Sequence, residues 1–149
     1  MGTTRVETKI EAPPAEVFDA VAHIDNFSDI VDAVTNVEFL SEERRGVGTR
    51  FRETRVVKGR EGTSVLEVTE YRSGEHLRVI SDEGGTVWDT VFTVAPDGDG
   101  TLLTMAMDAK PHKFAARVMN PFIGPMIRKA IESDMAQVKA HCEAAPGVN

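Results

Sequence analysis

The sequence predicts an α+β fold: a strand, two short helices, six further strands completing a seven-stranded antiparallel sheet, and a long C-terminal helix. Three observations predict it. Residues 5 to 11 alternate in polarity; the stretch from Asn36 to Ala109 is cut by turn signals into strand-length pieces; and the last part of the chain repeats its apolar residues at helical spacing.

In the first strand, Val6, Thr8 and Ile10 share one side and Arg5, Glu7 and Lys9 the other, the period of a half-buried strand. Pro14 suits a first helical position, where its missing N–H would be unpaired anyway, and Val17, Phe18, Val21 and Ile24 then recur at helical spacing. A polar break at Asp25 and Asn26 separates this segment from a second one carried by Phe27, Ile30, Val31 and Val34.

The turn signals GVG, KGREG, RSGE, DEGG and PDGDG divide the middle of the chain into NVEFLSEE, GTRFRETRVV, TSVLEVTEY, HLRVIS, TVWDTVFTVA and TLLTMAMDA. Connections this short make hairpins and cannot make parallel crossovers. Alternation puts Trp88, Thr90, Phe92 and Val94 on one face, Leu103, Met105 and Met107 on one face, and Phe51, Glu53 and Arg55 on one face. The aromatic and Met sets are expected to point inward. In TSVLEVTEY, Ser64, Leu66 and Val68 are expected inside because Glu67 and Thr69 prefer water, an assignment that a bulge would reverse.

Pro121 and Pro125 each remove a backbone donor, so KFAARVM is expected to be kinked or separated from the helix beyond it. Met126, Ile127, Ala130, Ile131, Met135, Val138 and Cys142 then draw an apolar stripe, with Arg128, Lys129, Glu132, Asp134 and Lys139 largely off it. A helix from about 122 to 144 spans roughly 34 Å, enough to cross a sheet.

The chain of 149 residues has the size of one domain, 1–149, able to hold a core and a pocket. Its net charge of −7, from 17 basic and 24 acidic residues, disfavours nucleic acid and anionic membrane as partners. Cys142 is the single cysteine, which excludes an intramolecular disulfide and points to an inert thiol. The N-terminus lacks an apolar h-region and no run approaches a membrane span, so no stable insertion is expected and the location is read as cytoplasmic. The four histidines have no metal-ligand spacing, GVG lacks the context of a phosphate loop, and PDGDG is too short for a calcium loop. No cofactor is implied.

The segments IEAPPAEVFDAVAHIDNF, GVGTRFRET, VTEYRSGEHL and PDGDGTLLTM, followed by the terminal helix, occur in an order that resembles the helix-grip fold of the START-like, Bet v 1-like superfamily. Within it, the chain looks most like the bacterial polyketide cyclase/dehydrase and lipid-transport group. The resemblance implies a curved sheet gripping the long helix over a cavity, and an apolar ligand such as a lipid, polyketide or isoprenoid. It also places the Phe27 to Ile30 segment at the pocket rim, with Ile30 where relatives often carry tryptophan and Asp32 where a proline often follows.

Candidate ligand-binding residues are therefore Phe27 and Ile30 at the rim; Phe51, Glu53, Arg55, Trp88, Thr90, Phe92, Met105 and Met107 on the sheet; and Phe122, Met126 and Ala130 at the start of the last helix. The methionines suit an adaptable lining, or ordinary core. An inward Glu53 without a partner would have its carboxyl pushed up by desolvation and become a candidate acid or base; alternatively it pairs with Arg55, or the two anchor a ligand. The apolar MNPFIGPM segment packs against the sheet rim, forms a mobile entrance flap, or is a docking patch for a membrane or partner. Three functions are compatible with these residues: a binder of a small hydrophobic molecule, a cyclase or dehydratase, and a partner-binding module. Fold alone does not choose among them.

Overall fold

The computed structural model describes residues 2–114 and 123–144. Its elements run β1 (Gly2–Ile10), α1 (Pro14–Ala22), α2 (Ile24–Ile30), β2 (Val34–Phe39), β3 (Arg50–Val57), β4 (Arg60–Arg72), β5 (His76–Glu83), β6 (Thr86–Asp97), β7 (Gly100–Pro111) and α3 (Ile123–Ala144). The seven strands form one curved antiparallel sheet in the order β1-β7-β6-β5-β4-β3-β2. Because β1 and β2 lie at opposite edges, the chain must cross the whole sheet between them. The two short helices make that crossing, with α1 against β6 and β7 and α2 against β2.

The break between these helices is not at Asp25 and Asn26. It falls at His23, whose extended backbone (φ −100°, ψ 111°) ends α1 and precedes α2. Asp25 instead occupies the first turn of α2, where a carboxylate is favoured by the helix dipole. Asn26 ties the two helices together by donating from Nδ2 to the Asp19 carbonyl at 3.1 Å. The second helix is also shorter than its apolar spacing suggests, because Val31 caps it and Val34 already belongs to β2.

The β3–β4 and β5–β6 connections are two-residue turns, closed by Val57 opposite Arg60 and Glu83 opposite Thr86. Both central residues have positive φ, Lys58 and Gly59 at 52° and 78°, Gly84 and Gly85 at 63° and 82°, the geometry whose twist matches that of the flanking strands.

A bulge lies in β4, where Val68 pairs with Val79 but the next paired residue is Glu70, opposite Arg78. Thr69 is the extra residue. Leu66 and Val68 keep their expected inward direction, while beyond the bulge Tyr71 rather than Glu70 turns in and meets Phe18 edge-on at 5.5 Å. Glu70 is left outside, accepting from Arg78 Nη1 at 2.9 Å and within 2.7 Å of His76 Nε2.

The core combines Ile10, Val17, Phe18 and Leu103 with Ile131, Met135 and Val138 of α3, all buried. Met126 departs from the expected inward stripe and is 49% exposed. Asp134 departs the other way: it is 4% exposed, although its charge suggested a solvent-facing position. The helix is also pinned to β1 by polar contacts. Arg128 donates to the Arg5 carbonyl at 3.1 Å, Lys139 to the Lys9 carbonyl at 2.7 Å, and the Glu11 N–H donates to Glu143 at 2.9 Å.

Candidate functional site

A partly open pocket of about 150 Å³ lies under α1, α2 and the β2–β3 loop, against the inward face of β3 to β7. Alternation explains its wall. Phe51, Glu53 and Arg55 come from β3, Leu66 and Val68 from β4, Leu77 and Val79 from β5, Thr90 and Phe92 from β6, and Met105 and Met107 from β7. The roof is Val21 and Ala22 at the end of α1 with Ile24 and Phe27 of α2, and Arg44 and Arg45 from the β2–β3 loop stand at the edge. Phe27 packs edge-on against Phe92, with ring centroids 6.3 Å apart and planes at 67°.

Polar groups are few. Arg55 donates from Nε to Glu53 at 3.1 Å, and from Nη1 and Nη2 to the two carboxylate oxygens of Asp134 at 3.3 and 2.7 Å. The side chains of Glu53 and Asp134 are 12% and 6% exposed. Burial works against the charge on Arg55, but bonds to Asp134 and then to Glu53 outweigh it and make the guanidinium more basic than usual. Glu53 is therefore not an unpartnered acid in a dry pocket. Two threonines complete the inventory: Thr49 donates to the Gly46 carbonyl at 2.8 Å, whereas Thr90, 8% exposed, has no side-chain hydrogen bond among the described residues.

Asp134 is the residue that sequence reasoning missed. It lies three residues after Ile131 and four before Val138, both buried, so its helical position marked the inward side even though its charge did not.

A second, outer groove of about 570 Å³ adjoins the first. Glu53 and Arg55 border both, and the groove continues past Val57 and Ser64 to Met126, Ile127 and Ala130 at the start of α3. Met126 and Ala130 thus face this groove, not the inner cavity.

Two expected rim or lining residues lie elsewhere. Ile30 borders a shallow depression with Asp29, His141 and Cys142, because α2 starts at Ile24 and presents Ile24 and Phe27 to the cavity. Trp88 has the same strand parity as Thr90 and is half-buried, but the cavity wall on β6 ends at Thr90. Residues 115–122, which include Phe122, most of KFAARVM and the first half of MNPFIGPM, lie outside the described residues.

His23, at the helix break, faces the Tyr71 hydroxyl at 3.3 Å. Burial, then the neighbouring Arg45, push its pKa below the ordinary value, with Asp19 and Asp25 opposing. Among the described residues, no group of three or more His, Cys, Asp or Glu is placed to hold a metal ion, and no helix is long and apolar enough to cross a membrane.

The fold has many solved counterparts. The protein TTHA0849 from Thermus thermophilus superposes with a TM-score of 0.80 at 20% identity, over 97% of this chain and 99% of that one. A START superfamily protein from Mycobacterium smegmatis gives 0.79 at 13% identity, over 96% and 98%. The major latex-like protein 151 of Panax ginseng gives 0.77 at 15%, over 95% and 97%. At these identities the likeness shows the fold, which is the helix-grip fold of START-like and Bet v 1-like proteins. No curated protein matches the chain. A family model described as polyketide cyclase / dehydrase and lipid transport matches residues 1–143, and the chain belongs to that family.

Proposed function

We propose that this protein binds a small hydrophobic molecule, of lipid, polyketide or isoprenoid character, in the cavity between the sheet and the short helices α1 and α2, not under the long C-terminal helix as the sequence suggests. One observation carries the proposal: a nearly continuous apolar wall from five strands and two helices, interrupted inside by Glu53 and Arg55, the latter held by Asp134, and by Thr49 and Thr90. Water gains little in such a space, and apolar ligand surface entering it gains about 25 cal/mol per Å² before the costs of association. The inner volume suits a slim chain or ring, and the adjoining outer groove offers room for a longer one. Assignment to the polyketide cyclase / dehydrase and lipid transport family supports the same reading.

The bond from Arg55 to Glu53 supports an anchoring role for that carboxylate over proton transfer, so binding is preferred to catalysis. The test is binding of the neutral dye Nile red to the purified protein, with organic extraction and mass spectrometry of the protein from its native host. The wild type is expected to bind the dye and yield a reproducible apolar molecule. Leu66→Trp, which fills the cavity from β4, is expected to bind at least about tenfold more weakly while still unfolding cooperatively. Equal dye binding by both proteins, or an empty extract, would refute the proposal.

A further inference from the structure

We infer that the cavity selects apolar molecules whose polar end donates hydrogen bonds and carries no negative charge, a hydroxyl or an amine, over those ending in a carboxylate. This rests on the binding function proposed above and adds the chemistry of the ligand's head. Among the described residues, Arg55 is the only cation inside the wall, and its guanidinium already serves two acids: one N–H goes to Glu53 and two go to the paired oxygens of Asp134. With both carboxylates ionised, the cluster carries one net negative charge in a space of low polarity. An incoming carboxylate would meet that net negative charge, and Arg55, with three of its five N–H donors already given to acids, has its own charge compensated. A hydroxyl or amine meets the opposite situation, because Glu53 Oε2 accepts no hydrogen bond from the described residues and Glu53 borders both spaces.

Thr90 provides the independent sign of a ligand. Its side chain is more than nine-tenths buried and forms part of the cavity wall, yet its hydroxyl has no side-chain hydrogen-bond partner among the described residues. Thr49, also on the wall, differs because the Gly46 carbonyl already accepts from it. Among the described residues no fully buried side-chain N or O atom lacks a partner, so the Thr90 hydroxyl opens onto the pocket space, where a group that arrives with the ligand is able to pair with it. It is itself uncharged, and it supplies no compensation for an anion.

Arg44 and Arg45 are the remaining cations around the cavity, and both are exposed at its edge. Arg45 faces Asp25 at 3.7 Å and Arg44 lies over the Phe39 ring at 4.6 Å, so neither reaches the interior cluster. An acid that bound with its head at this edge would be insensitive to the charge of Glu53.

The test compares 1-decanol, decylamine and decanoate at pH 7 as competitors for Nile red. The alcohol and amine are expected to displace the dye at concentrations about tenfold or more below decanoate, the size of effect that one uncompensated charge in a partly buried site produces. In Glu53→Gln, which keeps the side chain's size and removes its charge, the gap between decanol and decanoate is expected to narrow to about twofold, with circular dichroism confirming the fold. If decanoate competes as well as decanol in the wild type, the head-group selection is overturned while the binding function stands. A gap unchanged in folded Glu53→Gln also overturns it. Dye binding that none of the three compounds displaces, together with no effect of Leu66→Trp, overturns the binding function and the selection together.

Discussion

Arg55 on β3 and Asp134 on α3, 79 positions apart, are joined by two hydrogen bonds of 3.3 and 2.7 Å that tie the long helix to the sheet. Without Asp134, Arg55 loses two of its three side-chain hydrogen bonds and keeps only Glu53. Asp134→Ala is therefore expected to destabilise the protein by about 2 kcal/mol in urea unfolding. Glu132→Ala, on the exposed side of the same helix, is expected to change stability by less than about 0.5 kcal/mol. Similar costs for the two variants would show that Asp134 is not held as described.

Gly100 begins β7 at the point where it passes under the end of β1. A Cβ there would stand 2.5 Å from the Ile10 carbonyl oxygen, and backbone has no alternative rotamer with which to move away. Gly100→Ala should lower the melting temperature, with a cost of about 1–3 kcal/mol.

Lys58 is the one described residue other than glycine with positive φ. Asparagine accepts this first position of the tight turn more readily, and glycine accepts it without steric cost. Lys58→Gly is expected to stabilise the hairpin by about 0.5 kcal/mol, a gain that a matched urea titration resolves.

On the sheet's outer face, Arg78 donates to both oxygens of Asp89 at 2.9 and 2.7 Å, and Lys110 adds a third bond at 3.1 Å. The Arg78 bonds, with help from Lys110 and against the effect of burial, push the Asp89 carboxyl down from 3.8 to about 2. The unfolded chain takes up this proton near 3.8 and the folded one does not, so the contribution is present above that pH and is lost as the pH falls towards 2. Stability measured across that window should decline less steeply in Asp89→Asn than in the wild type.

Cys142 is buried, and desolvation, followed by Glu16 and Glu143, pushes its thiol up to about 11. At pH 8 the thiolate is scarce and covered. A thiol reagent such as DTNB should label the native protein far more slowly than the urea-unfolded chain; equal rates would contradict the burial.

The elements were largely legible because local chemistry dictates them. Pro14 does start α1, and the glycine-marked turns do separate the strands. Period-two alternation likewise put Phe51, Glu53 and Arg55 on one inward face. The features that were not legible depended on partners distant in sequence. Asp134 looks like a surface residue until β3 brings Arg55 to it. Glu70 and Tyr71 exchange faces because of a single unpaired residue, which alternation cannot reveal. The most polar dipeptide suggests itself as the helix break, whereas Asp25 is better placed inside a helix's first turn and the bend falls on His23. Ile30 leaves the expected rim as a direct result of that shift.

Among the described residues the edge strand β1 has β7 as its only strand partner, with Gly2 opposite Ala109 and Ile10 opposite Thr101. Its polar clasps on α3 span 123 to 132 positions. The hairpins of β3 to β7 are able to form early and locally, but the first strand must wait for nearly the whole chain. Pairings of such long range slow folding, because the entropy of closing the loop is lost before any contact compensates for it. Of the seven strands, β1 is thus the one whose seating depends on the contacts of longest range in sequence.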